Sequence, residues 1–200
     1  GIFDCVHIST DNKEYAEIGK SYGADASFLR SKKLSTDTAD TWDVVRYVSN
    51  NFQALGKIFD TITVLQPTSP LRTAEDIKNA YVLFKKKHAK SVISVCRAEH
   101  NPRFMKTLGR DLSMEGFVDL SRNVQRQKQE ICYFINGAIY MLEVSVLDNI
   151  SELYGKQSYA YIMPTERSVD IDTIQDFKYT EYLLQQKEGN TVGRKECKEN

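Results

Sequence analysis

Ser168-Val169-Asp170-Ile171-Asp172 carries two carboxylates separated by one apolar residue. In extended backbone alternate side chains share a face, so Asp170 and Asp172 project together while Val169 and Ile171 turn the other way. Two hard oxygen ligands on one side suit Mg²⁺, which takes one or two protein carboxylates and completes its shell with phosphate oxygens and water. The same stretch admits a second reading, because Asp172-Thr173-Ile174-Gln175 fits a capping box that opens a helix, with Gln175 at N3. Asp172 serves both readings if its oxygens are shared. Gln66-Pro67-Thr68-Ser69-Pro70 offers hydrogen-bonding side chains on backbone stiffened by two prolines. An ordinary rigid turn carries the same pattern. Arg126 stands ten residues before Asn136, with Tyr140 beyond it. Arg holds a carboxylate through two parallel hydrogen bonds, so this set suits an acidic polyol. A solvated basic face is the alternative for Arg126, and equally for Arg30.

These residues need elements to hold them. Cys5 to Ser9 reads as a short β-branched strand. Asn12 to Tyr22 and Thr41 to Phe52 carry apolar residues at helical spacing, the first stopping at Gly23. Ile58 to Leu65 is an apolar, β-rich run ending at Gln66-Pro67, where ladder pairing must stop. Thr73 to Ala89 reads as a helix with Thr73 as N-cap and Asp76 at N3. Ser91 to Cys96 is a buried strand, Gly137 to Leu142 and Tyr159 to Met163 are returning strands, and Asp172 to Gln186 is a terminal helix. The order implies an α/β fold, doubly wound around a mostly parallel sheet. Residues 97–135 are polar and basic and read as an excursion from that sheet, and 188–200 reads as a frayed tail. No internal repeat or domain boundary is visible. In open sheets of this kind ligands bind outside the carboxyl ends of the strands, which is where Gln66 and the 164–172 segment fall.

Bulk properties exclude several functions. Lys plus Arg and Asp plus Glu balance at 27 each, which argues against nucleic acid or an anionic membrane as main partner. Four cysteines and three histidines are scattered without metal-ligand spacing, so a zinc site is not expected. Unpaired thiols fit a reducing compartment. No 18-residue apolar run or signal-peptide pattern is present, and a soluble cytoplasmic protein is expected.

Taken in order, several segments resemble the CMP-sialic acid synthetase (acylneuraminate cytidylyltransferase) family. They are Leu65-Gln66-Pro67-Thr68-Ser69-Pro70-Leu71-Arg72-Thr73, Arg30 with Thr36-Asp37-Thr38-Ala39, Ser94-Val95-Cys96 with Glu99-His100, Arg126-Gln127, Asn136-Gly137-Ala138-Ile139-Tyr140, and Ser168 to Thr173. The similarity runs from Phe3 to Leu183. It implies a Rossmann-like cytidylyltransferase domain over 1–187 that joins CTP to the anomeric hydroxyl of an acidic nine-carbon sugar, releasing pyrophosphate. Gln66, Arg126, Asn136 and Tyr140 match sugar-binding positions, and Arg30, Ala39 and Thr41 match nucleotide-binding ones. Asp170 and Asp172 match the Mg²⁺-binding, catalytic carboxylates, one of which is also a candidate to take the attacking hydroxyl's proton. The resemblance further implies a homodimer built on the 97–135 excursion. Pseudaminic, legionaminic and 3-deoxy-manno-octulosonic acids are alternative sugars, and a non-catalytic dimerising chain is the alternative of another class. The family opens with a strand and a glycine-containing basic loop that cradles the triphosphate, and the 200 residues hold no such loop. One group stabilising transition-state charge is worth about 100-fold in rate, so slow or absent turnover is expected of the chain alone.

Overall fold

The computed structural model describes residues 1–118 and 130–196, with side chains to residue 186 in the terminal helix. Lys13–Ser21 forms α1, and Asn12 caps it by accepting the Glu14 and Tyr15 amides at 2.8 and 3.4 Å. Its exit needs Gly23, whose φ of +86° lies in the left-handed region. Thr41–Ala54 forms α2, capped by Asp40 through the amides of Trp42 and Asp43. Ala74–Lys87 forms α3. Here the capping reading holds: the Asp76 amide donates to Thr73 Oγ1, and Asp76 Oδ2 accepts from the Thr73 amide. Glu75 and Asp76 in the first turn and three lysines in the last complement the helix dipole.

Four strands follow the sequence reading with altered limits: Thr61–Val64 (β1), Ser91–Arg97 (β2), Tyr133–Glu143 (β3) and Ser158–Met163 (β4). They form one sheet in the order β1-β3-β2-β4. One pair in the sheet departs from the parallel arrangement. The Glu143 amide bonds Lys90 O at one end of the β2–β3 pair, and the Ala98 amide bonds Cys132 O at the other. The numbering therefore runs in opposite directions, and the sheet is mixed. The cause is the connection: residues 98–132 leave and return at the same end of β2, which forces antiparallel pairing.

Two other expectations change. Cys5 to Ser9 makes no strand among the described residues, only a parallel bridge between His7 and Asp25. The terminal helix α4 spans Ile174–Glu196, into the stretch expected to fray. Its cap is Thr173, paired reciprocally with Asp176, and not Asp172 with Gln175. The Thr-x-x-Asp spacing lies one residue further on and competes successfully because each side chain accepts the other residue's amide and the two side chains also bond each other.

The chain divides into two compact units, each drawn from three segments. Gly1–Val64, Tyr81–Ser91 and Met141–Tyr159 make the first. It contains an aromatic cluster: His7 stacks on Phe28 at 4.5 Å, and Phe52 meets His7, Phe28 and Phe59 edge-on at 5.2–5.5 Å. Asp25 joins it through His7 Nδ1 at 3.3 Å. The second unit holds Leu65–Ala80, Val92–Tyr140 and Ala160–Asn200. Its interior is the middle of β2 and β3, where Val92, Ile93, Ala138 and Ile139 are buried.

Candidate functional site

The second unit brings three distant parts of the chain to one point. Gly137 lies in β3 with φ +72°, a conformation that strains any side-chain-bearing residue. A Cβ there would fall on Gln66 Oε1 and lie 3.6 Å from Asp170 Oδ2. The amide of Gln66 and the carboxylate of Asp170 therefore meet over the bare Cα of Gly137. That close approach is why the position is glycine.

Each wall of this corner is tied down. Arg72 sends Nη1 to Gln66 O at 3.2 Å and to Ala138 O at 2.6 Å, joining the Gln66–Pro70 turn to β3. Burial lowers the pKa of this guanidinium below its usual value, against the pull of Asp76. The segment after β4 is held at three places. Ile171 N donates to Thr68 O at 2.9 Å. Ser168 Oγ donates to Pro164 O at 2.7 Å and accepts from Asn136 Nδ2 at 2.9 Å. Arg167 grips Asp76 with two parallel bonds, Nη2 to Oδ1 at 2.7 Å and Nε to Oδ2 at 3.0 Å.

Asn136 is 2 % exposed, and its amide is committed inward. Oδ1 accepts from Ser94 Oγ at 2.6 Å and from the Ala138 amide at 3.3 Å, while Nδ2 serves Ser168. Ser94 Oγ in turn accepts the Ile139 amide at 2.7 Å. A buried polar network of this kind is favourable only when each member is satisfied, and here each is.

Asp76 is 1 % exposed. Burial alone would raise its pKa, but hydrogen bonds from Arg167, the Thr73 hydroxyl and the Thr73 amide outweigh it and hold the carboxyl at about 2. Tyr161 Oη adds a further bond at 3.2 Å. Asp76 is thus ionised at neutral pH and fully paired.

Asp170 differs. Its Oδ1 is buried and accepts no hydrogen bond. A carboxylate oxygen removed from water with nothing to bond is costly, and a cation is the partner that relieves it. With Gln66 Oε1 close by, the corner supplies hard oxygen donors and no sulfur, a set that fits Mg²⁺. Among the described residues no group of three or more His, Cys, Asp or Glu could hold a metal. Asp172, two residues on, is exposed.

The other expected residues fall as follows. Tyr140 is half-buried on β3. Arg126 lies outside the described residues. Arg30, Ala39 and Thr41 belong to the first unit, on one turn-rich segment leading into α2. There Arg30 Nε donates to Ser35 Oγ at 3.0 Å, and the Ala39 amide donates to Thr36 O at 3.0 Å. Arg72, Asp76 and Arg167 were not singled out as site residues. Their only local signal was the Thr73–Asp76 cap, since the Asp76–Arg167 pair joins residues 91 apart. A separate cleft of about 710 Å³ in the first unit, between Asp4–Val6 and Ile58–Phe59, contains none of the expected residues.

A sequence model of the family described as cytidylyltransferase matches residues 1–187. The chain belongs to that family. It is 30 % identical over 187 residues to the N-acylneuraminate cytidylyltransferase of Escherichia coli O18:K1:H7, covering 93 % of this chain and 43 % of the relative. Against the CMP-N,N'-diacetyllegionaminic acid synthase of Legionella pneumophila it is 33 % identical over 182 residues, covering 89 % and 77 %. A pseudaminic acid cytidylyltransferase of Campylobacter jejuni is 28 % identical over 183 residues, covering 92 % and 79 %. The chain thus spans less than half the length of the first relative and about three quarters of the other two. The fold is shared with a CMP:2-keto-3-deoxy-manno-octonic acid synthetase complexed with CTP, at a TM-score of 0.64 and 15 % identity over 92 % of this chain and 81 % of that one. In this member of the family, Gln66 follows β1 and Asp170 follows β4 in sequence, beyond the ends of strands where α/β sheets place their ligands.

Proposed function

We propose that this cytidylyltransferase transfers CMP from CTP to the anomeric hydroxyl of an acidic nonulosonate sugar, an N-acylneuraminate in the first instance. The sugar hydroxyl attacks the α-phosphorus, the bond to pyrophosphate breaks, and the hydroxyl proton passes to a nearby base. The observation that carries the reading is the orphaned, buried Asp170 Oδ1 beside Gln66. Such displacements need positioning and charge neutralisation more than covalent help. Mg²⁺ held by Asp170 and Asp172 would supply that neutralisation at the phosphates. Gln66 is assigned to hydrogen-bond the sugar, with Arg126 and Tyr140 as further ligands. Arg30, Ala39 and Thr41 are assigned to the cytidine nucleotide.

Asn136 enters this reading differently from the other sugar ligands. Its side-chain amide already spends its bonds on Ser94, Ser168 and the Ala138 amide, so it supports the sugar site by shaping it. Legionaminic and pseudaminic acids are supported as alternative sugars by relatives of similar identity. A homodimer in a cytoplasmic setting completes the proposal. Comparing CMP-sugar formation across neuraminic, legionaminic, pseudaminic and 3-deoxy-manno-octulosonic acids selects among the sugars. Product from the last acid alone would overturn the nonulosonate assignment.

A further inference from the structure

Asp170 is the residue on which the proposed reaction leans most, yet nothing bonds its Oδ1 and its direction must be set from elsewhere. It stands two residues after Ser168 and one before Ile171, both anchored. Immediately before Ser168, Arg167 locks onto Asp76 through two parallel bonds, the strongest geometry available to a guanidinium–carboxylate pair. Asp76 is itself immobilised, because its carboxylate also accepts the Thr73 amide at 2.9 Å, the Thr73 hydroxyl at 2.6 Å and Tyr161 Oη at 3.2 Å. A cap needs one or two of these bonds, so a helix start alone does not explain a fully buried carboxylate that also takes Arg167 and Tyr161.

We infer that Asp76 and Arg167 are positioning residues for Asp170: the pair fixes the 167–171 backbone against the start of α3, and so aims the Asp170 carboxylate at the cation site. The inference rests on the reading of Asp170 as a metal ligand. Thr73 provides the control that separates positioning from plain stability. It caps the same helix and bonds the same carboxylate, while the two-bond link from Asp76 to the 164–172 segment is made by Arg167. Losing it weakens α3 while leaving the Arg167 grip in place.

The test uses the chain with Mn²⁺ as probe, its affinity read by electron paramagnetic resonance, and the exchange rate of the Ile171 amide read by NMR. Arg167→Met is expected to weaken Mn²⁺ binding about tenfold and to speed Ile171 exchange at least tenfold. Arg167→Lys, which keeps the charge but loses the fork, should recover part of both. Thr73→Ala, which keeps the Thr73 amide, Tyr161 and Arg167 bonds to Asp76, should lower thermal stability by a few degrees and move both readouts far less than Arg167→Met. Equal Mn²⁺ affinity in Arg167→Met and the parent, with Asp170→Asn clearly weakened, would overturn the inference. So would equal losses in Arg167→Met and Thr73→Ala. If Asp170→Asn itself binds Mn²⁺ like the parent, the metal reading has failed. Ile171 exchange then decides alone whether the pair fixes the segment, and an unchanged rate in Arg167→Met would reject it. Should Arg167→Met fail to fold, Arg167→Lys and Asp76→Asn carry the same comparison.

Discussion

Gly137 concentrates the site into one residue. Its positive φ strains any side chain, and a Cβ there would displace Gln66 Oε1. Gly137→Ala adds roughly 1–2 kcal/mol of left-handed backbone strain and pushes the Gln66 amide from its place. The expected outcome is a fall in stability of about that size by urea unfolding, with weaker binding of the acidic sugar by calorimetry. Unchanged sugar binding would remove Gln66 from the site. The residue scale is also where the sequence was most legible. Gln66 and Asp170 stood out by type and place, and the structure brings them together. What the sequence withheld was direction. Asn136 reads equally well as a ligand or as an inward brace, because only the partners Ser94 and Ser168, 42 and 32 residues away, decide where an amide points.

Elements were legible where local chemistry fixes them. The Thr73–Asp76 cap, the glycine after α1 and the buried β2 all follow from short spacings. Two of the misses share one cause, dependence on distant pairing. β3 was found, but its antiparallel sense is set by the path of residues 98–132, which periodicity does not report. The Cys5–Ser9 strand had the right composition and lacks an extended ladder among the described residues. At α4, two overlapping capping patterns competed one residue apart, and the winner leaves Asp172 outside the cap box. Asp76 gives this scale its pH dependence. Its folded pKa of about 2 lies below the ordinary carboxylate value near 4. A depressed pKa contributes stability that is complete above about pH 4 and is lost as pH falls toward 2. Urea midpoints should drop steeply over that interval in the parent and less steeply in Asp76→Asn, which starts lower at pH 7. Parallel slopes would show that the Arg167 and Thr73 bonds do not hold Asp76 ionised.

At the scale of the molecule, the strand–helix order was enough to indicate an α/β fold, while assembly was not readable from composition. The described part of the excursion leaves Phe104, Met105, Leu108, Leu112 and Met114 between 48 and 71 % exposed, and Tyr133, Phe134 and Ile135 at the start of β3 are about half exposed. This exposed apolar surface supports the proposed homodimer. The solution mass is predicted to be twice that of the 22.9 kDa chain, and Phe134→Glu is predicted to halve it. A monomeric parent in light scattering would refute the homodimer. No helix among the described residues is long and apolar enough to cross a membrane.

The most direct measurement is CMP-sugar formation from radiolabelled CTP, Mg²⁺ and N-acetylneuraminic, legionaminic or pseudaminic acid, with protein in excess so that even one slow turnover is seen. The account predicts product with at least one of the three acids, dependent on Mg²⁺ and reduced at least about 100-fold in Asp170→Asn. Product formed equally well by Asp170→Asn, or none from any acid even when a strand and glycine-containing basic loop of the family's kind is joined ahead of Gly1, would contradict it.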